Sequence, residues 1–247
     1  MQRSVAAVIW DFDNTLVDSR AKNLAVTRRI AAELLGSWDR YPMLGSLDAY
    51  ERALWRTRGW RDLYRTELGM DDALMDEAAS LWTGYQIADS TDAPLLPGVQ
   101  EALAALSQLP HAIVSANSRR NIDETLERHG LKERFRAVIG YEEVHLRAQK
   151  PAPDGLLLCM ERLGIDGQGV LLYVGDHEVD ARCAANANAV LERRGAAARV
   201  LSVGADYGRS EGHEWGFEPD YRADSPERIV RLVESFAAEQ AGPVTRM

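Results

Sequence analysis

Cysteine is almost missing from this chain: Cys159 and Cys183 are the only two in 247 residues. Neither sits in a CxxC or other ligand-like spacing, so a disulfide framework or a thiolate metal site does not organise the fold. Both read as small buried apolar groups in a reducing compartment. No apolar run approaches the roughly 18 residues that a membrane span requires. The first run, Val5 to Trp10, stops at Asp11 and Asp13, which interrupts any secretory-leader pattern. An excess of positive charge is also lacking. Lys and Arg number 29 against 38 Asp and Glu, a formal net charge of −9. That balance opposes non-specific binding to nucleic acid or anionic membranes, both of which need clustered positive charge. An anionic small substrate stays compatible, because a local field can oppose the global one. Repeats and low-complexity tracts are absent. The expectation is a cytoplasmic protein, monomer or homodimer, without a nucleic-acid or membrane partner.

What is present is ordinary globular material, 46% hydrophobic and 27% charged, enough for one large domain or one domain with an insert. The run Val5-Ala6-Ala7-Val8-Ile9-Trp10 reads as a buried strand of a parallel sheet. Between about Ser19 and Ser90 no strand pattern occurs. Leu24, Ile30, Leu34 and Leu35, then Leu47, Tyr50, Leu54 and Trp55, recur at helical spacing, and Gly and Pro punctuate the stretch. Trp38, Trp55, Trp60 and Trp82 in this segment are expected to fill the bundle's own core. Its arginines are expected on solvated faces, with one or two as candidates to reach a substrate anion.

Residues 91–98, TDAPLLPG, read as a linker. Beyond it, strands alternate with helices. Strands are expected at 112–114, 137–139, 170–174 and 198–203, and helices at 99–106, 121–129, 153–163 and 180–192. Ser225-Pro226-Glu227 opens a final helix with Ser225 as its cap. This alternation predicts an α/β fold with a doubly wound, Rossmann-like parallel sheet. The expected organisation is a core of residues 1–18 and 93–238, an all-helical insertion over 19–92, and a flexible tail from 239 to 247.

Ligands of open α/β sheets sit in the crevice at the carboxyl ends of the strands. Asp11 and Asp13 fall there, although Asp and Asn are also common turn residues after a strand. Ser115 ends another strand, Lys150 precedes Pro151-Ala152-Pro153 at the start of a helix, and Asp176 ends a later strand in Gly175-Asp176-His177-Glu178-Val179-Asp180. A nucleophile, a proton donor, a hydroxyl, a fixed cation and metal-binding acids on one sheet edge suit phosphoryl transfer, which depends on in-line positioning and neutralised charge.

DFDNTLVDS at 11–19, VSANS at 114–118, QKPAP at 149–153 and GDHEVD at 175–180 together resemble the haloacid dehalogenase superfamily, in its phosphoglycolate-phosphatase-like group. The resemblance spans nearly the whole chain. It implies an α/β core with a mobile helical cap inserted after the first strand, and Mg2+-dependent hydrolysis of a small phosphorylated metabolite. Asp11 resembles the nucleophile that forms an aspartyl-phosphate, and Asp13 the general acid/base. Asp11, the Asp13 carbonyl and Asp176 resemble the magnesium ligands. Ser115 resembles a phosphoryl-binding hydroxyl, and Lys150 the cation joining nucleophile and phosphate. Asp180 matches a supporting acid or a helix start. Asn117 either touches phosphate or makes a turn. His177, in place of a small polar residue, is expected to be exposed. Selectivity is expected to depend on the loop near Tyr41 to Leu47. A phosphomutase of the β-phosphoglucomutase type shares every core motif and is the alternative, followed by a non-catalytic binding or regulatory relative. A phosphonate hydrolase would need a cap lysine inside the unit, whereas Lys22 lies beside the hinge.

Overall fold

The computed structural model describes residues 4–165, 167–209 and 214–241. Six parallel strands form one sheet: β1 (Val5–Trp10), β2 (His111–Val114), β3 (Phe135–Ile139), β4 (Val170–Gly175), β5 (Arg199–Ala205) and β6 (Tyr221–Ala223). Their spatial order is β3-β2-β1-β4-β5-β6. The chain builds outward on one side of β1 and then returns to pair β4 on its other side. That reversal opens a crevice at the carboxyl ends of β1 and β4, the switch point where α/β sheets bind ligands. Five strands agree with the sequence pattern. The sixth, three residues long at the sheet edge, has too little periodicity to be read from sequence.

Four helices, α1 (Arg20–Leu35), α2 (Leu47–Trp55), α3 (Trp60–Leu68) and α4 (Asp72–Ala88), lie between β1 and β2. α5 (Val99–Ala105) also precedes β2, and α6 (Arg119–Arg128), α7 (Asp154–Arg162), α8 (Glu178–Arg193) and α9 (Pro226–Ala241) complete the helices among the described residues. The last helix runs past 238 to Ala241; residues 242–247 of the expected tail lie outside the described residues. Among the described residues, no helix is long and apolar enough to cross a membrane.

Strand alternation sends side chains to opposite faces, and each face has its own core. Val8 and Trp10 join Ile113, Leu172, Val174, Leu103, Ile122 and Ile229 on one side. Ala7 and Ile9 join Ala112, Leu171, Tyr173, Cys159 and Cys183 on the other. A third cluster belongs to the helical unit, with Ile30, Leu44, Leu63, Tyr64 and Met75 at its centre. Of the tryptophans expected there, Trp60 and Trp82 pack on its margin, Trp38 is exposed and Trp55 is recruited elsewhere. In the loop from Tyr41 to Leu47, Met43 and Leu44 are buried in this same cluster, and Arg28 donates to the Leu44 and Gly45 carbonyls. The loop therefore turns its apolar residues inward.

The two chain crossings between helices and sheet run side by side. Val17 bridges Leu95, Asp18 N–H donates to Pro94 O at 2.8 Å, and Leu96 N–H donates to Leu16 O at 2.9 Å. Lys22 is buried and donates from Nζ to Asp89 O at 2.8 Å and Thr91 O at 3.1 Å. Its ammonium is thus occupied in tying one crossing to the other.

Burial pushes the thiols of Cys159 and Cys183 up to about 12. At pH 8 roughly one part in 10⁴ of each is thiolate, the reactive form. Iodoacetamide should therefore leave both unmodified in the native protein and label both after denaturation, as read by intact mass. Rapid labelling of either thiol in native protein would contradict its placement in the sheet-face core.

Candidate active site

β1 hands over to the site directly: Asp11 N–H donates to Val174 O at 2.7 Å, which extends the β1–β4 pairing by one residue and fixes where the first carboxylate leaves the sheet. Asn14 then takes φ 54, a left-handed conformation that Asn tolerates, and turns the chain back on itself. Gly208 closes this turn from outside. A Cβ built there would lie 1.6 Å from Asn14 O, so only glycine allows the approach.

The sequence-identified residues converge. Lys150 Nζ lies 2.8 Å from Asp11 Oδ1 and 2.6 Å from Asp180 Oδ1, with all three side chains at most 9% exposed. Carboxylate oxygens of Asp11, Asp176 and Asp180 lie within 4.8 Å of one another. Asp180 also accepts from Tyr173 OH at 3.0 Å and from the His177 N–H at 3.2 Å. Asp180 thus bonds Lys150 and also completes the capping box at the start of α8. Gly175 is needed beside it, since a Cβ there would meet the Asp180 carboxylate at 2.4 Å.

Asp13 lies to the other side. Its Oδ2 accepts from Asn117 Nδ2 at 2.9 Å, and its Oδ1 from Asn23 Nδ2 at 3.5 Å. Asn117 is buried and also uses Oδ1 to accept from the Ser118 N–H and from Asn121 Nδ2. It therefore orients Asp13, a role outside the two expected for it. Ser115 continues the ladder beyond β2 through its N–H to Ile139 O, and its hydroxyl, buried at the sheet edge, accepts from the Asn117 N–H at 3.2 Å.

Charge is the dominant property of this crevice. Burial raises Asp11, against the opposing charge of Lys150, and raises Asp176 well above the carboxylate range, reinforced by Asp11 and Asp180. Burial alone would depress Lys150, but Asp11 and Asp180 outweigh it and the ammonium is raised instead. Asp13 is raised by burial and the Asp11 charge, against hydrogen bonds from Ser19, Asn117 and Asn23. Ionising all three acids around one ammonium would leave two negative charges uncompensated, which adds to burial in raising Asp176. Oxygen-only donors with that deficit fit a small divalent cation.

The helical unit closes over this edge. The Trp55 ring stacks on His177, centroids 5.4 Å apart at 16°, and the Arg209 guanidinium lies 4.6 Å from the Trp55 ring centroid and 4.1 Å from that of Trp215. Thr83 and Tyr141 share a hydroxyl contact at 3.0 Å. The expected exposure of His177 is thus corrected. Its Nδ1 accepts from the Val179 N–H at 3.3 Å, its ring is covered by Trp55, and burial lowers its pKa to about 4. Trp55, Arg209, Asn23 and Gln86 are the neighbours that sequence reading missed. Trp55, Arg209 and Gln86 lie far along the chain from the site groups they approach, Asn23 lies ten residues from Asp13, and none belongs to a local motif. An open groove of about 680 Å³ elsewhere, lined by Glu143, His145, Asp154 and Leu158 among others, includes none of the sheet-edge acids.

Removing the ammonium isolates its contribution. Lys150→Met should cost about 3–5 kcal/mol of stability, because the two buried carboxylates of Asp11 and Asp180 would lose the cation paired with them. Urea denaturation at pH 7 measures this, and a loss below about 1 kcal/mol would mean that the pairing is not what holds the acids together.

Similar proteins share this arrangement of elements. Phosphoglycolate phosphatase of Escherichia coli strain K12 is 31% identical over 231 residues, covering 84% of each chain. N-acetylmuramic acid 6-phosphate phosphatase of Pseudomonas putida is 26% identical over 237 residues, covering 93% of this chain and 96% of that one. The structure of a haloacid dehalogenase-like family hydrolase from Streptococcus pneumoniae superposes with a TM-score of 0.68 at 18% identity, over 92% of this chain and 98% of the other. The family profile of haloacid dehalogenase-like hydrolases matches residues 8–191, from within β1 through most of α8. With the acids of β1 and β4 and the lysine before α7 gathered at one sheet edge, the chain belongs to the haloacid dehalogenase-like hydrolases.

Proposed function

We infer that this hydrolase is a Mg2+-dependent phosphatase of a small phosphorylated metabolite, acting through a phosphoryl group carried on Asp11. The observation that supports the reading most is the buried cluster of Asp11, Asp176, Asp180 and Lys150, with Asp13 held beside it by Asn117 at 2.9 Å. A carboxylate oxygen of Asp11 attacks phosphorus as the bond to the alkoxide oxygen breaks. Asp13 gives its proton to that oxygen, so the alcohol leaves neutral. Asp13, now a carboxylate, takes a proton from water while the water oxygen attacks phosphorus, releasing inorganic phosphate and regenerating Asp11. Lys150 keeps Asp11 ionised and opposes the phosphoryl charge, and the Ser115 hydroxyl donates to a phosphoryl oxygen.

Asp11, Asp176 and the Asp13 carbonyl would hold magnesium, which supplies neutralisation of phosphoryl charge when bound. The helical unit acts as a cap over residues 19–92, with Val17–Lys22 and 89–96 as its hinges. Closure brings Trp55 onto His177 and Arg209 and excludes water from the acyl phosphate. The two curated relatives carry names with different substrates, so substrate choice is decided by experiment. Phosphate release from a panel that includes 2-phosphoglycolate, N-acetylmuramic acid 6-phosphate, sugar phosphates and 4-nitrophenyl phosphate, with Mg2+ and with EDTA, tests the reading. No Mg2+-dependent release from any panel member would end it.

Two substitutions separate the roles. Asp11→Asn should abolish turnover while the protein stays folded, since an amide neither attacks phosphorus nor binds the metal as an anion; more than about a tenth of wild-type kcat would remove Asp11 as nucleophile. Asp13→Ala should slow turnover of alkyl phosphates roughly 10²–10⁴-fold, the usual range for losing a general acid. It should nevertheless spare Mg2+ affinity more than Asp176→Ala, because the backbone carbonyl survives the change. Isothermal calorimetry of the two variants checks this, and equal losses of affinity would contradict the carbonyl assignment.

A further inference from the structure

Gln86, near the end of α4, is 1% exposed, although an amide has no evident use in an apolar seam. Its Nε2 donates to Asn23 Oδ1 at 2.6 Å. Asn23, on the first turn of α1, donates from Nδ2 to Ser19 Oγ at 3.1 Å and to Asp13 Oδ1 at 3.5 Å. The chain Gln86–Asn23–Asp13 has one workable polarity. The one proton Asp13 carries as an acid is the one it gives to the leaving oxygen, so Asp13 Oδ1 accepts here; Asn23 turns its NH₂ toward Asp13 and its carbonyl toward Gln86, which answers with its own NH₂. Gln86 Oε1 is then left buried without a partner. An unpaired buried acceptor costs free energy, so a purely structural position would favour an apolar side chain of similar size.

We propose that Asn23 and Gln86 are positioning residues for Asp13, holding from the helical unit the carboxylate that Asn117 holds from the sheet. Asn117 holds Oδ2 at 2.9 Å, while Asn23 lies 3.5 Å from Oδ1 on a first turn where Ser19 also bonds the carboxyl group, so both units bear on the plane of the carboxyl group and its approach to the leaving oxygen. Gln86 acts through Asn23. With it, the Asn23 amide has both ends engaged; without it, the amide is free to rotate away from Asp13. Such control bears on the proton transfer, because among the described residues the Asp11, Lys150 and Asp176 cluster makes no hydrogen bond to either amide. The inference rests on the phosphatase reading above and on Asp13 as its acid.

The test is leaving-group dependence. An alkyl phosphate needs its leaving oxygen protonated, whereas 4-nitrophenyl phosphate releases a stabilised anion. For each substrate kcat/KM reports steps only up to ester cleavage, so a later dephosphorylation does not blur the comparison. The ratio between substrates, measured on one sample, is also independent of how much of a variant is folded. Gln86→Met should lower kcat/KM for the best alkyl phosphate of the panel about tenfold, a fraction of a general acid's usual contribution, while 4-nitrophenyl phosphate changes less than about twofold. Asn23→Ala, which removes the link itself, should show the same selectivity and a larger loss. In an Asp13→Ala background, Gln86→Met should change neither substrate further, the non-additivity expected of residues acting through one group. Equal losses on both substrates, or a full additional loss in the Asp13→Ala background, would overturn the positioning role while leaving the phosphatase reading intact. If Asp13→Ala itself lowered both substrates equally, the acid assignment would fall, and the positioning role with it.

Discussion

One buried ammonium organises this molecule. Lys150 is held between Asp11 and Asp180, and the chain segments that carry these groups come from β1, the loop before α7, and α8. Removing an ammonium and carboxylates from water costs several kcal/mol per ion, repaid only by close geometry and further hydrogen bonds. Those bonds are present: Tyr173 OH and the His177 N–H complete Asp180, and the Val174 carbonyl fixes the backbone of Asp11. Because Asp176 enters the same space without a cation of its own, burial and the charges of Asp11 and Asp180 raise it, and ionising it would leave the edge with uncompensated negative charge. A fold that merely needed stability would have no reason to keep an acid there.

The helical unit solves a different problem. Its own apolar cluster makes it a compact body, and its attachment to the sheet is narrow, two paired backbone crossings joined by Lys22. Across the crevice it offers a flat aromatic contact, Trp55 on His177 and Arg209, and a few polar ones, Thr83 with Tyr141 and Asn23 with Asp13. Stacking and single hydrogen bonds are each worth on the order of 1 kcal/mol. A seam of that kind joins the two units without welding them together, as the cap role proposed above requires.

Much of this was readable in advance, for physical reasons. Five of the six strands announce themselves as short apolar runs that end in Asp, Ser or Gly, since a strand buried on both faces has little room for polar residues. The residues that gather at the edge, Asp11, Asp13, Ser115, Lys150, Asp176 and Asp180, each stand at the end of such a run or at a helix start. What failed to be legible has the opposite character. Trp55 reads as bundle core because helical spacing cannot show which helix face meets a second body. His177 reads as exposed because nothing nearby in sequence foretells the ring that covers it. Met43 and Leu44 occupy the loop expected to meet a substrate, yet their apolar side chains do better in the unit's own core. Asn117 reads as a phosphate contact or a turn residue, because its partner in the structure, Asp13, is 104 positions away.

By itself the sequence determined the local matters: which segments become strands, where each strand stops, and that a carboxylate, hydroxyl or lysine stands at the stop. Those outcomes follow from periodicity and from the cost of burying unpaired polar groups, both of which act over a few residues. Only the tertiary structure decided which of these groups share charge. The pairing of Lys150 with Asp11 and Asp180, the holding of Asp13 by Asn117, and the covering of His177 by Trp55 all join residues from different elements far apart in the chain. Such contacts depend on the strand order and on the seating of the helical unit over the sheet. Coulomb and hydrogen-bond energies fall off within a few ångströms, so these residues acquire their environments only after the fold has brought them together.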